Sequence, residues 1–331
     1  MTVEARHYQK LENGTVQCLL CPHRCRIDPG KAGLCRVRQN TGGRLEAQSY
    51  GRAVSLSLDP VEKKPLYHFY PDRKILSTGP NGCNLACSFC QNWEISQQET
   101  PTEAVEPHQL VELAVKEGSV GIAFTYTEPL IWFEYLMDVC PLARQAGLKT
   151  ALVTNGTISP EPLKELLPQI DAMNVDLKSM DEGFYRKVCR GDLKTVLQTI
   201  ELARRSCHVE LTNLVIPGLN DSPKDMEALI DWVCKLDPLM PLHLSRYFPR
   251  YHLETPPTPE KTLKKFYDLA KSRLKYVYVG NIQIEGTEDT CCPGCGHILI
   301  KRAGYRINLE GIKAGACQNC GRRADIIGLN D

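Results

Sequence analysis

Short apolar runs rich in β-branched residues recur through the middle of the chain, near residues 74–77, 120–125, 149–153, 172–175, 209–215, 242–244 and 276–279. Each has the length of a buried strand. Between them, Leu110-Val111-x-Leu113-Ala114, Val196-Leu197-x-x-Ile200-x-Leu202-Ala203 and Met226-x-x-Leu229-Ile230-x-Trp232-Val233 place apolar residues at i, i+3 and i+4, so each predicts a helix with one core-facing side. Repeated strand-helix alternation predicts an α/β fold with a parallel sheet. With right-handed crossovers and this many units, a closed or partly open TIM-like barrel is expected over a doubly wound open sheet.

In such barrels one face, made of strand ends and the loops after them, carries the chemistry. Polar or Gly-containing signatures follow most of the predicted strands: Thr78-Gly79-Pro80-Asn81-Gly82-Cys83, Tyr126-Thr127-Glu128-Pro129, Thr154-Asn155-Gly156-Thr157, Asp176-Leu177-Lys178, Ile216-Pro217-Gly218-Leu219-Asn220-Asp221 and Ser245-Arg246-Tyr247-Phe248-Pro249.

Composition changes the picture in two ways. At 331 residues and 42% hydrophobic content the chain can bury a full core and still carry small appended modules. A formal net charge of +1 gives no bulk argument for nucleic acid or membrane. No stretch approaches the ~20 apolar residues of a membrane span and no apolar run follows a basic start, so a cytoplasmic protein is expected. The sixteen cysteines fall mostly into tight groups that suit metals in a reducing compartment better than long-range disulfides. They divide the chain into an N-terminal Cys-rich module with its lead-in to the barrel (1–72), the barrel (73–286) and a C-terminal module (287–331). Cys140, Cys189, Cys207, Cys234 and Cys291 fall outside the groups.

Cys83-Asn84-Leu85-Ala86-Cys87-Ser88-Phe89-Cys90 is a C-x3-C-x2-C loop, and three thiolates so close together can wrap one side of a cubane cluster. With no fourth cysteine nearby, one iron keeps an open coordination position for a substrate or cofactor. Zinc fits less well, because a structural zinc site wants four protein ligands.

This loop resembles the signature of the radical S-adenosylmethionine (SAM) superfamily, C-x3-C-x-aromatic-C, with Phe89 as the aromatic. More closely, the chain is similar to the radical SAM enzymes of the AmmeMemoRadiSam system, relatives of pyruvate formate-lyase activating enzymes. The segments that carry the likeness are Asp59-Pro60-Val61-Glu62-Lys63-Lys64-Pro65-Leu66-Tyr67-His68-Phe69-Tyr70, Gly82-Cys83-Asn84, Cys90-Gln91-Asn92-Trp93, Phe124-Thr125-Tyr126-Thr127-Glu128-Pro129 and the terminal cysteine modules.

The resemblance implies a [4Fe-4S] cluster on Cys83, Cys87 and Cys90, SAM bound at its open iron, and reductive cleavage of SAM to a 5′-deoxyadenosyl radical that abstracts hydrogen from a substrate. It also implies an electron donor such as flavodoxin or ferredoxin, and Memo-like and AMMECR-like partners. Where relatives carry Gly-Gly-Glu to hold the SAM amino group, this chain has Tyr126-Thr127-Glu128, which keeps the acid and loses both glycines. Asn155 and Lys178 match positions that reach SAM, Asp176 matches one acid of a monovalent-cation site, and Val153 replaces another. The segment containing Val215 and Pro217 matches the edge bordering adenine, and His243 matches a SAM-side histidine loosely. Glu62, Lys63, Lys64 and His68 are expected on the substrate side or on an exposed charged face.

Two modules remain. Cys292-Pro293-Gly294-Cys295-Gly296 and Cys317-Gln318-Asn319-Cys320-Gly321 form two C-x2-C-G knuckles, the pattern of a zinc ribbon, with a rubredoxin-like iron site as the alternative. Basic residues here, among them Lys301, Arg302 and Arg306, would suit RNA, but ribbons equally serve as docking or lid modules, and nucleic acid is not favoured. Cys18, Cys21, Cys25 and Cys35 supply four thiolates that can close either a zinc tetrahedron or a second [4Fe-4S] cluster. Zinc is narrowly preferred there, since the stretch itself offers little apolar sequence to shield a cluster. The functions in view are a radical SAM enzyme, a glycyl-radical-enzyme activase, a radical RNA-modifying enzyme and a non-enzymatic zinc-ribbon interaction or nucleic-acid-binding protein.

Overall fold

All seven apolar runs form strands in the computed structural model, which describes residues 2–329; residue 1 and residues 330–331, the outer ends of the first and third predicted modules, lie outside the described residues. An eighth strand joins them. In chain order the sheet consists of β1 (Ser55–Pro60), β2 (Lys74–Gly79), β3 (Gly121–Phe124), β4 (Lys149–Thr154), β5 (Ala172–Asp176), β6 (His208–Val215), β7 (Leu242–Arg246) and β8 (Val277–Gly280). Spatial order equals chain order, with β2 to β8 all parallel and β1 antiparallel to β2. Among the described residues β1 and β8 end the sheet without pairing to each other, so the barrel is of the open kind.

The crossovers are the expected helices: α1 (Pro107–Lys116), α2 (Phe133–Gln145), α3 (Pro160–Leu166), α4 (Leu193–Ala203), α5 (Pro223–Leu236) and α6 (Glu260–Lys271). Several start on a proline that needs no N–H there, and the Asp192 and Ser222 side chains accept from Thr195 N and Asp225 N at 2.8 and 3.1 Å. Val139, Ile200, Ile230 and Leu263 from the helices share one buried cluster with Leu152, Val175 and Leu211 from the strands. This burial holds the strand ends in fixed relation to each other.

Polar groups fill the inside of the sheet. Glu210 of β6 accepts from His68 N (2.7 Å), His208 Nε2 (2.9 Å) and His243 Nε2 (2.6 Å), and Asn174 of β5 donates to Pro65 O at 2.8 Å. Segment 61–73, which leads into the start of β2, thereby closes the end of the barrel away from the cysteine loop. The C-terminal module locks that segment from outside. His68 contacts Asp325 O (2.7 Å) and Tyr278 Oη (2.6 Å), Arg302 donates to Tyr67 O (2.9 Å), and Tyr276 donates to Asp325 (2.6 Å).

Residues before β1 build two small antiparallel sheets, one from Val3–Glu4, Arg44–Ala47 and Arg38–Thr41, the other from Tyr8–Lys10, Val16–Cys18 and Arg26–Ile27. A buried ion pair joins them to α2: the two terminal nitrogens of Arg38 reach Glu134 at 3.0 and 3.1 Å. A pair so enclosed fixes how the module sits, since either partner alone would be an uncompensated buried charge. No helix among the described residues is long and apolar enough to cross a membrane.

Candidate active site

The loop after β2 carries Cys83, Cys87 and Cys90, and its backbone is held from two sides. Ala86 N and Ser88 N donate to Cys189 O (3.0 Å) and Val188 O (3.1 Å), at the end of a π-helical turn, Tyr185–Cys189, that closes on Arg190 at φ 59°. On the other side Gly82, at φ 94°, packs so tightly that an added Cβ would lie 2.5 Å from Cys35 O. Only glycine takes both that conformation and that contact.

The three thiols share one cavity of about 380 Å³ with the ends of successive strands. Its walls include Thr125, Tyr126 and Thr127 after β3, Val153, Thr154 and Asn155 at β4, Asp176 and Lys178 at β5, Thr212 and Leu214 of β6, Ser245 of β7 and Asn281 after β8. Phe89, Lys63 and Lys64 complete it. Of the residues expected at the site, Cys83, Cys87, Cys90, Phe89, Thr127, Asn155, Asp176 and Lys178 therefore meet around one space.

Four others do not line this cavity. Glu128 is fully buried behind it: one carboxylate oxygen accepts from Leu130 N (2.9 Å) and Thr154 Oγ1 (2.6 Å), the other from Asn155 N (2.7 Å). Val215 is buried, its carbonyl accepting from Thr258, and Pro217 is half-buried. His243 turns to Glu210 and packs edge-on against Tyr67, because a fully buried carboxylate holds it there. His68 likewise leaves the substrate side for the interface with the C-terminal module, where burial lowers its pKa to about 4.

The sulfurs receive several hydrogen bonds. Leu85 N and Asn155 Nδ2 donate to Cys83 Sγ at 3.3 and 3.5 Å, and Ser96 Oγ lies 3.2 Å from Cys90 Sγ. Such contacts favour thiolate sulfur and tune a bound cluster. Without metal, burial and nearby Glu128 raise the Cys83 thiol well above its ordinary range; for Cys87 the cause is the neighbouring Cys189 thiol together with burial. A cluster would displace those protons on binding. Three thiols on a pinned loop, facing an open cavity, form a donor set that fits a cubane with one iron left for another ligand.

Opposite them stands Lys178, its Nζ 2.8 Å from Asp176 and 5.9 Å from the centre of the Phe89 ring. Burial disfavours its charge, but Asp176 and the Cys87 and Cys189 thiols outweigh that, so the ammonium stays protonated well above its usual range. Tyr185 Oη accepts from Lys178 N at 3.0 Å, which fixes the turn. At the place where the resemblance expects glycine, Tyr126 takes φ 72°, a conformation uncommon for a bulky side chain. Asn92 Nδ2 on its carbonyl (2.5 Å), Asp59 on its hydroxyl (3.1 Å) and the Lys64 ammonium over its ring (4.8 Å) hold it there. Thr127 donates its hydroxyl to Pro80 O at 2.7 Å and keeps its lone pairs.

Sequence reasoning missed Cys189, Tyr185, Ser96 and Asn281. They are ordinary residues in their own segments and acquire a role only through contacts across the fold. At the other end of the chain, Cys292, Cys295, Cys317 and Cys320 bring four sulfurs within 4.8 Å of one another, with two of the separations at 3.6 and 3.7 Å.

Cysteine loop, open parallel barrel and strand-end cavity together define a cluster-dependent cofactor enzyme. Residues 78–233 match the family model of the radical SAM superfamily, so the chain carries a domain of that superfamily. It is similar over 98% of its length to an uncharacterised protein of Methanocaldococcus jannaschii, with 42% identity across 99% of that protein. It is 24% identical to the pyruvate formate-lyase-activating enzyme of Clostridium pasteurianum over 45% of this chain and 64% of that one. The fold is similar to that of a radical SAM methyltransferase from Sphaerobacter thermophilus, at TM-score 0.51 and 16% identity over 90% of this chain and 81% of that structure.

Proposed function

We propose that the protein is a radical SAM enzyme of the AmmeMemoRadiSam kind, in which Cys83, Cys87 and Cys90 hold a [4Fe-4S] cluster and Thr127, Asn155, Asp176 and Lys178 surround SAM. The observation that carries this reading is the single cavity bounded by the three thiols on one side and the strand ends on the other. When bound, cluster and SAM supply one-electron cleavage of a sulfonium C–S bond, giving a 5′-deoxyadenosyl radical that takes hydrogen from substrate.

The protein's own residues do the placing. Lys178 and Asp176 offer a cation and an anion to the charged end of SAM, and Asn155 spans that end and the Cys83 sulfur. Glu128 acts one step back, holding the Asn155 backbone and the Thr154 hydroxyl, while Asn92, Asp59 and Lys64 hold Tyr126 at its positive φ; strain of this kind persists where a site depends on it. Val153 presents no carboxylate, so Asp176 serves its lysine and not a cation site.

A second cavity of about 380 Å³ adjoins the first, sharing Lys63, Thr212, Ser245 and Asn281 with it and adding Tyr67, His243 and Tyr305. It is our candidate for the substrate side. Tyr305 comes from the C-terminal module, which supports a lid or docking role there over RNA binding, and a bulky substrate such as a protein segment. For that module we favour zinc: a tetrahedron with Zn–S near 2.3 Å has S···S edges of about 3.8 Å, close to the separations above. A flavodoxin or ferredoxin would supply the electron. The activase reading is weaker, because that relative matches less than half of this chain.

Equilibrium dialysis tests the cofactor contacts. Lys178→Ala and Asn155→Ala are expected to weaken SAM binding about tenfold each, the loss of one charge-assisted hydrogen bond, while iron content stays at that of the wild type. Unchanged SAM affinity in both would overturn the assignment.

A further inference from the structure

The cysteines not used by the site above, Cys18, Cys21, Cys25 and Cys35, border one small cavity of about 20 Å³. Ile27 from the same module and Ile131 from the barrel stand in its walls. The apolar shield that the local sequence lacks is thus supplied by the fold.

The sulfur spacing distinguishes this set from the C-terminal one. Around a single zinc, four sulfurs lie on the edges of one small tetrahedron. In a cubane each thiolate caps a different iron, and the sulfurs stand farther apart. The C-terminal four sit within 4.8 Å of one another, whereas no three of the N-terminal sulfurs reach that spacing among themselves.

A second observation points to an occupant. Arg38, 1% exposed, also borders the cavity; its terminal nitrogens bind Glu134, but its buried Nε–H has no acceptor. An unmet buried donor is costly, and a sulfide or thiolate sulfur would satisfy it.

The cavity abuts the catalytic loop. Cys35 O touches Gly82, the residue before Cys83. His23 Nε2 lies 2.7 Å from Asn84 O, and Asn155 Nδ2 lies 3.0 Å from Asn84 Oδ1 and 3.5 Å from Cys83 Sγ.

We propose that Cys18, Cys21, Cys25 and Cys35 hold a second, fully ligated [4Fe-4S] cluster that passes electrons to the Cys83 loop. The relay rests on the SAM-cluster reading above; the cluster itself does not. One electron arrives from a low-potential donor of the flavodoxin or ferredoxin class, reduces the N-terminal cluster by one, and leaves for the neighbouring site. With every iron capped by cysteine, no bond is made or broken in this module.

Metal analysis of the anaerobically reconstituted full-length Cys83, Cys87, Cys90 triple-alanine variant tests it. The expected result is about four residual irons per chain with a cluster absorption band, and about one zinc. Zinc near two per chain without iron, or no metal at the N-terminal set, overturns the proposal. Should that variant not fold, Cys18→Ser with Cys21→Ser in the otherwise native chain replaces it. Iron is then expected to fall from about eight to about four per chain. SAM cleavage should persist with dithionite and slow about tenfold or more with reduced flavodoxin, a lost route of about 1.4 kcal/mol or more. Unchanged iron overturns the cluster, and equal rates with both reductants overturn the relay. Wild-type iron that is wholly retained in the triple variant sinks the SAM-cluster reading instead.

Discussion

Glu128 sets burial against hydrogen bonding. Three donors favour its carboxylate, yet full burial prevails and raises its pKa from 4.5 to about 7. The folded chain therefore keeps a proton that the unfolded chain has lost. Stability from this group is fully present below pH 4.5 and is lost as pH rises through about 7, by up to about 3 kcal/mol. Glu128→Gln removes that dependence but turns an amide donor toward the Thr154 or Asn155 donors, at a cost of about 1–3 kcal/mol near pH 4.5. Chemical denaturation of the metal-free protein should show the gap between wild type and variant narrowing as pH rises from 4.5 to 7. A constant gap would mean that the carboxyl is not shifted. Glu128 was visible in the sequence as the acid after Tyr126-Thr127, but its direction was not. That depended on the Thr154 and Asn155 donors of the next strand, which only the folded sheet brings beside it.

At the scale of elements, the terminal modules are joined to the barrel and not merely appended to it. His68, Tyr67 and Tyr276 are tied to Asp325 and Arg302, so loosening the C-terminal module should expose the plug at 61–73. Cys295→Ala is expected to release about one zinc and to raise hydrogen exchange both beyond residue 290 and at 66–70. Exchange confined to the region beyond 290 would show that the module opens alone. Acid should act on the same joint. His68 has its pKa lowered from 6.5 to about 4 by burial, so its contribution is present above pH 6.5 and is lost as pH falls toward 4. By pH 5 the joint should weaken by about 2 kcal/mol, seen as exchange in the C-terminal module beyond the intrinsic pH effect. Protection independent of pH between 7 and 5 would contradict it. The sequence showed the knuckles through their spacing; the joint was hidden because its partners lie more than 200 positions apart.

Taken whole, the molecule is a strand-end enzyme whose parallel sheet was legible because seven buried strands repeat one apolar pattern between amphipathic helices. β1 escaped because Ser-Leu-Ser-Leu-Asp-Pro alternates like a surface hairpin, and its pairing with β2 depends on a long-range register. The thiol loop and Lys178 were legible from motif and resemblance, whereas the cavity wall from Thr212 to Asn281 followed only from the order of the strands. The central claim is that Cys83, Cys87 and Cys90 support reductive cleavage of SAM. Anaerobically reconstituted protein, reduced in the presence of SAM, is expected to form 5′-deoxyadenosine, and Cys87→Ala to abolish that product with the loss of about four irons. Undiminished 5′-deoxyadenosine formation by Cys87→Ala would contradict the account.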